Sequence, residues 1–408
     1  MIQRACRQLI DEYLEFFPCV ALVGARQSGK TTLVKALNGT WNYFDLEKRD
    51  DYKLISDSPD LFLRLNSKRV VIDEAQLLPE LFPALRVSID NNRETSGQFV
   101  ITGSSSPELL KSISESLAGR IGIIEISPLT MGETSASPSP FYRIFQNPDN
   151  FRDIINNLTE QNSLTNIHHY WFQGGYPEPW SKNSERFTEL WMEQYVQTYV
   201  ERDIARLFPG MNPARFMQFT EMLAGLSGQV INYSEVARAL GVSQPVIRDY
   251  FNIVHGTFLW RQILPYEKNV KKRIVKHPKG HLRDSGILHH LLRLRDLRQL
   301  QSHPSMGFSW EAMTIEELLR GLCSAGISHD YYYYRTASGA EIDLILEGKF
   351  GLIPIEIKYN KSVALSKIRG IKDFVKEHAL PFGIVIDNGE SVRWITEEIV
   401  AIPFSFCI

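Results

Sequence analysis

Two stretches hold residues whose order suggests phosphate chemistry. In the first, the apolar run Val20-Ala-Leu-Val23 leads into Gly24-Ala25-Arg26-Gln27-Ser28-Gly29-Lys30-Thr31-Thr32, then into a helical pattern through Leu33, Val34 and Leu37. Glycines at 24 and 29 let the backbone turn so that successive N–H groups point inward at phosphate oxygens, and the amino end of the helix adds to the field. Lys30 is spaced to reach the β- and γ-phosphates of a nucleotide, and the Thr31 hydroxyl to hold Mg²⁺. In the second stretch, Arg69-Val-Val-Ile-Asp73-Glu74, an apolar strand ends in two acids. Asp73 would hold Mg²⁺ through its water shell and Glu74 would polarise an attacking water. Two acids at a strand end are commonly just solvated; their position downstream of the glycine loop gives them the catalytic reading.

The elements that must position these residues follow from pattern. Residues 1–15 have apolar positions at helical spacing, Trp41 to Leu46 reads as a short strand, Leu77 to Asn91 as a helix, and Gln98 to Ser104 as a buried strand. Strands alternating with helices over 1–130 predict a parallel sheet with nucleotide outside its carboxyl edge. Ser104 would end the last of those strands, either as a hydroxyl sensing the γ-phosphate or as a plain polar end. Arg120, after Ser116-Leu-Ala-Gly, is placed by chain order to offset charge at the γ-phosphate, in cis or from a neighbouring subunit; a structural salt bridge is the alternative.

With 408 residues, 43% hydrophobic and 23% charged, the chain predicts two to four globular domains, and its net charge of −2 points to no partner class. Four scattered cysteines lack metal-ligand or disulfide-framework spacing, no apolar run approaches the ~18 residues of a membrane span, and the apolar segment from Phe16 follows acids as a core strand would. The expectation is a cytoplasmic protein without a membrane partner.

After the first domain, 131–210 read as a linker and helical extension, with 131–165 a Ser/Pro/Asn-rich surface excursion. Within 211–280, Asn232 to Gly241 and Ser243 to Val254 read as two short helices around a glycine, a winged helix-turn-helix with Gln244 and Arg248 on its exposed face. Between Arg261 and Leu300 stand eleven Lys/Arg against three acids, including Lys268, Lys271, Lys272, Arg273, Lys276, Lys279 and Arg283. This basic patch over 261–298 suits a DNA backbone, or is a solvated face.

In 281–408, Asp343 lies on one strand of a hairpin-like stretch, and Glu356-Ile-Lys358 places an acid and an ammonium on one face of the next. Asp343 and Glu356 could ligate one Mg²⁺, with Lys358 orienting or deprotonating a water for phosphodiester cleavage. Glu311, on a preceding helix, would be a further ligand, with Glu316 or Glu317 as substitutes.

This order resembles the PD-(D/E)xK nuclease superfamily as seen in Holliday-junction resolvases. The whole chain resembles AAA-type ATPases whose core (AAA_14) precedes a DUF4143 region, on Gly24–Thr31, Asp73-Glu-Ala-Gln76, Thr102-Gly-Ser-Ser105, Leu117-Ala-Gly-Arg120, Gly174-Gly-Tyr-Pro-Glu178, Glu201-Arg-Asp203, His277-Pro-Lys279, Asp284-Ser-Gly286, Ala340-Glu-Ile-Asp343 and Ile355-Glu-Ile-Lys358. The resemblance implies an α/β fold: a P-loop NTPase parallel sheet, a helical and winged-helix module, then an α/β restriction-endonuclease-like domain. It implies ATP and Mg²⁺ as cofactors. It is similar to STAND-type NTPases, in which a Gly-x-Pro contacts the nucleotide base; Pro177 matches that proline. Two functions follow: an ATP-hydrolysing switch, homo-oligomeric where Arg120 acts in trans, that moves a nuclease-like domain on nucleic acid, or a nucleotide-binding regulator whose C-terminal domains bind a protein partner.

Overall fold

A computed structural model describes residues 2–103, 113, 115–135, 139–205, 208, 210–267, 277–336 and 339–408, the side chains of 201–203, 365 and 366 excepted. The chain forms two compact units: residues 1–129 with Tyr176–Glu178 and Asn252–Leu259, and the remainder.

In the first unit, β1 (Cys19–Val23), β2 (Asn42–Asp45), β3 (Val70–Asp73), β4 (Phe99–Gly103) and β5 (Ile121–Glu125) form one sheet in the order β2-β3-β4-β1-β5, every pairing parallel. Its central strands are apolar without alternation because both faces are covered. Cys19, Ala21 and Val23 of β1 enter one core cluster with Ile72 and Ile101, whereas Val20 and Leu22 enter another with Val71 and Val100. The order places the carboxyl ends of β1 and β3 on one edge, with β4 between them. The parallel sheet expected over 1–130 is therefore present.

The second unit is built on nine strands: β6 (Gln229–Val230), β7 (Trp260–Pro265), β8 (Lys279–Leu282), β9 (His329–Arg335), β10 (Glu341–Gly348), β11 (Gly351–Ile357), β12 (Gly383–Asp387), β13 (Arg393–Trp394) and β14 (Ile399–Pro403). Their order is β13-β14-β12-β11-β10-β9-β7-β8-β6. The two short helices expected around Gly241 are present, Tyr233–Leu240 and Gln244–Gly256, with Gly241 in the left-handed conformation at φ 67°. The strands beside them are no separate wing: β7 pairs parallel with β9, and β8 antiparallel with β7, so they continue the C-terminal sheet. A boundary at 280 falls inside β8, which corrects the division between 211–280 and 281–408.

A second correction concerns 131–165. Met131, Phe141, Ile144, Phe145, Ile155 and Leu158 are buried in the main core of this unit. The prolines and asparagines that suggested a surface excursion punctuate short helices, Arg143–Gln146 and Phe151–Asn156, whose apolar sides face that core. No helix among the described residues is long and apolar enough to cross a membrane.

Candidate functional site

The loop after β1 has the geometry its glycines imply. A Cβ at Gly24 would lie 2.1 Å from the Ile126 carbonyl oxygen, so only glycine lets β1 leave the sheet here, and Gly29 sits at φ 96° just before the helix Lys30–Lys35. Lys30 is buried and donates to the carbonyls of Gly24 (2.9 Å) and Ala25 (2.8 Å). Burial pulls its ammonium down to about 8, against the opposing effect of Glu74 and Asp73. The fully buried Ser28 hydroxyl has no hydrogen-bond partner among the described residues. Arg26 pairs with Glu47 at 2.9 Å, and Gln27 is left-handed at φ 57°. Thr32, in the helix's first turn, is exposed.

Asp73 ends β3 and collects hydroxyl donors. Its Oδ2 accepts from Thr31 at 2.8 Å and from Tyr43 at 2.6 Å, and its Oδ1 accepts from Thr102. A buried carboxylate beside a threonine hydroxyl is an oxygen donor set that suits Mg²⁺. Glu74 is left-handed at φ 57°, an uncommon conformation for this residue type. Its N–H donates to Thr102 Oγ1 at 3.2 Å, and its carboxylate accepts from Gln76. One hydroxyl thus holds both acids: Thr102, on β4 between β1 and β3. Burial and the bond to Asp73 push the Tyr43 phenol well above its usual range, so it stays a donor.

The structure brings Gly24 to Thr31, Asp73 and Glu74 to one edge of the sheet. Pro177 joins them, its Cγ 3.9 Å from a Cβ built at Gly29. Arg4, which sequence reading missed, donates to the carbonyls of Ser28 and Ser127, each at 2.7 Å, and braces the loop from the amino-terminal segment. Thr102 belongs to the Thr-Gly-Ser motif, whose Ser104, the expected sensor, lies outside the described residues. Tyr43 gave no signal, since an aromatic on a short strand usually means packing.

Arg120 requires a correction. It precedes β5, and β5 runs parallel to β1 with Ile121 opposite Cys19, so Arg120 sits at the amino edge of the sheet. At ~3.3 Å per residue, the five residues of β1 separate that edge from the glycine loop by roughly 15 Å. Its guanidinium grips both oxygens of Asp90 at 2.7 and 2.9 Å, which is the salt-bridge alternative and excludes the role in cis.

In the second unit, Glu311, Asp343, Glu356 and Lys358 meet as expected. Lys358 Nζ lies 2.6 Å from Glu356 Oε1 and 3.5 Å from Asp343 Oδ2, which also accepts the Ile357 N–H at 2.8 Å. An additional cation stands among them: Lys279 Nζ, 2.6 Å from Glu311 Oε1, 3.4 Å from Glu341 and 4.0 Å from Asp343. Burial and the neighbouring Asp343 raise the Glu311 and Glu356 carboxyls above the usual range. For Lys279 burial acts downward, but Glu311 and Asp343 outweigh it and keep the ammonium charged. Among the described residues, no group of three or more His, Cys, Asp or Glu side chains is arranged to hold a metal ion. The two acids expected to hold Mg²⁺, Asp343 and Glu356, do converge, and both pair with the Lys358 ammonium.

Glu316 and Glu317 are not substitutes for Glu311. Glu316 is bound to Arg261, Arg283 and His281, and Glu317 to Tyr170, Arg320 and the Met131 N–H. Arg261, Lys279 and Arg283 of the basic stretch are therefore internal, because the sheet they line is covered. Lys268, Lys271, Lys272, Arg273 and Lys276 lie outside the described residues. Arg293, Arg295 and Arg298 are exposed, as are Gln244 and Arg248, the latter over the Tyr233 ring.

Comparison with known proteins gives three family matches along the chain. Residues 17–135 match the AAA domain family AAA_14, residues 164–298 a domain of unknown function (DUF8612), and residues 306–407 another (DUF4143). Among solved structures, a Walker-type ATPase of Pyrococcus abyssi is 15% identical with a TM-score of 0.45, covering 72% of this chain and 96% of that one. A STAND protein with a tetratricopeptide repeat sensor from Pyrococcus horikoshii is 11% identical with a TM-score of 0.27, covering 80% and 47%. Uncharacterized proteins of Mycobacterium tuberculosis and Mycobacterium bovis are each 32% identical over 388 residues, 95% of this chain and 80% of theirs. With a glycine-turned loop and two acids at one edge of a parallel sheet, in a segment matching AAA_14, the chain belongs to the family of these mycobacterial proteins and carries an AAA-type P-loop domain at residues 17–135.

Proposed function

We propose that the chain is a Mg²⁺-dependent ATP-binding and ATP-hydrolysing switch. The observation that carries this reading is the Asp73 carboxylate bonded to the Thr31 hydroxyl at 2.8 Å, with Glu74 next in the chain. The loop N–H groups from Gly24 to Gly29 would bind the phosphates, and Lys30 would leave its two carbonyl partners for the β/γ-phosphate oxygens. Thr31 and Asp73 would hold Mg²⁺, which neutralises charge on the β- and γ-phosphates. Glu74, released from Gln76, would take the proton of the attacking water. Pro177, beside Gly29, would touch the nucleoside.

The switch reading draws support from the segment Gly175-Tyr176-Pro177. Pro177 lies beside Gly29 in the first unit, and Gly175, two residues earlier, donates its N–H to Asp284 at 2.9 Å in the second. Nucleic acid is the proposed ligand of the second unit, through Gln244, Arg248 and the exposed arginines at 293, 295 and 298. The burial of Arg261, Lys279 and Arg283 takes those three cations away from this first reading; the second is a regulator whose C-terminal region binds a protein partner. DNA affinity that falls steeply with salt supports the first; affinity absent at low salt supports the second.

For the ATPase itself, Glu74→Gln is expected to bind ATP as tightly as wild type while turnover falls ~10²–10⁴-fold, as when a general base is lost. Lys30→Ala is expected to lose both. Wild-type turnover in Glu74→Gln would show that another group serves as base.

A further inference from the structure

We infer that Lys279 is the resident cation of the carboxylate centre in the second unit: its ammonium pairs with Glu311 and Asp343, two carboxylates that the resemblance to nucleases gives to a divalent metal, and it closes the centre to metal-dependent phosphodiester cleavage. The inference is independent of the ATPase reading, since the two centres share no residue.

Lys279 is held by its backbone. It is the first residue of β8, paired with Ile263 of β7 and Val230 of β6, so its Cα is fixed from both sides. The preceding turn is tied down as well, the Tyr333 hydroxyl donating to the His277 carbonyl at 2.8 Å. From there the side chain, 4% exposed, reaches Glu311 at 2.6 Å, with Glu341 and Asp343 at 3.4 and 4.0 Å. Buried charges persist where they are paired, and these carboxylates supply the pairing.

The donor set has little left for a metal. Asp343 faces Lys279 through Oδ1, and its Oδ2 is taken by the Ile357 N–H and by Lys358. Glu311 is engaged by Lys279 and Glu356 Oε1 by Lys358. Glu356 Oε2 is buried and has no hydrogen-bond partner among the described residues. A dication held by Asp343 and Glu356 would have to displace these ammonium groups, and an ion bound to Asp343 Oδ1 would lie against the like charge of Lys279. Removing the Lys279 charge would change this balance: among the described residues Glu311, Asp343 and Glu356 would keep Lys358 as their neighbouring cation, a set rich enough for a dication.

The test is Mn²⁺ binding to the full chain without nucleotide, followed by the electron paramagnetic resonance of free Mn²⁺. Wild type and Asp343→Asn are expected to bind equally, leaving no site assignable to Asp343. Lys279→Met, close in length and uncharged, is expected to gain one site at least tenfold tighter than any in wild type, lost again in Lys279→Met/Asp343→Asn. A wild-type Mn²⁺ site that Asp343→Asn removes, or Mn²⁺-dependent DNA nicking that Glu356→Ala abolishes, overturns the inference. So does a folded Lys279→Met that gains no site. If Lys279→Met does not fold, the wild-type comparison with Asp343→Asn decides alone.

Discussion

Thr102→Val tests whether one hydroxyl sets the geometry of Asp73 and Glu74, the two acids proposed to act in hydrolysis. The residue is 1% exposed, donates to Asp73 Oδ1 and accepts the Glu74 N–H at 3.2 Å. Valine has nearly the same shape but can do neither. Asp73 then loses a hydrogen bond to a charged group, ~1.5–3 kcal/mol, and the Glu74 N–H loses its acceptor, ~1–3 kcal/mol where water cannot replace it. Glu74 also occupies a left-handed conformation costing ~1–3 kcal/mol, which that bond helps to maintain. The expected outcome is relaxation of residue 74 toward ordinary backbone angles, carrying its carboxylate away from the attacking water. Turnover should fall ~10²-fold or more while ATP affinity changes little, because the loop from Gly24 to Lys30 is untouched. Thr102→Ser keeps both bonds and should restore turnover. A coupled phosphate-release assay with nucleotide titration reads both quantities. Turnover within twofold of wild type in a folded Thr102→Val protein would refute the reasoning.

Two further outcomes are expected. Glu316 is 2% exposed; burial would raise its carboxyl, but Arg261, Arg283 and the bond from His281 outweigh burial and hold it well below 4.5. Its stabilisation is therefore whole above about pH 4.5 and is lost as pH falls through the lower folded value. Glu316→Gln should cost ~3–5 kcal/mol at neutral pH and flatten the acid limb of stability, read by urea unfolding followed through tryptophan fluorescence; a loss under ~1 kcal/mol would contradict a buried hub. Arg120→Ala should leave turnover and ATP affinity unchanged in the isolated chain, since its partner is Asp90 at the far edge of the sheet. A drop in turnover that mixing with Lys30→Ala subunits repairs would instead assign Arg120 to a neighbouring subunit's site.

The parts legible in the sequence were those whose geometry is local. Gly24 to Thr31 is a contiguous backbone device, and the apolar runs of β1, β3 and β4 state their burial without reference to a partner. The acids at 73 and 74 follow because a parallel sheet delivers strand ends to one edge. The same rule, applied to strand direction, would have sent Arg120 to the other edge; chain order alone suggested otherwise. The convergence of Asp343, Glu356 and Lys358 was also legible, since a hairpin and a period of two bring them together.

What only the tertiary structure decided is which distant side chain completes each site. Thr102 and Tyr43 reach Asp73 because β4 and β2 flank β3, a strand order that composition does not encode. Arg4 and Pro177 reach the glycine loop from opposite sides of it in the chain. Lys279, Arg261 and Arg283 looked like surface charge, because a cationic side chain is usually solvated. They are internal because β7 and β8 join the C-terminal sheet, where Glu311, Asp343 and Glu316 supply the opposite charge. Charge pairing in a covered sheet depends on register and on neighbouring strands, and no local pattern records either.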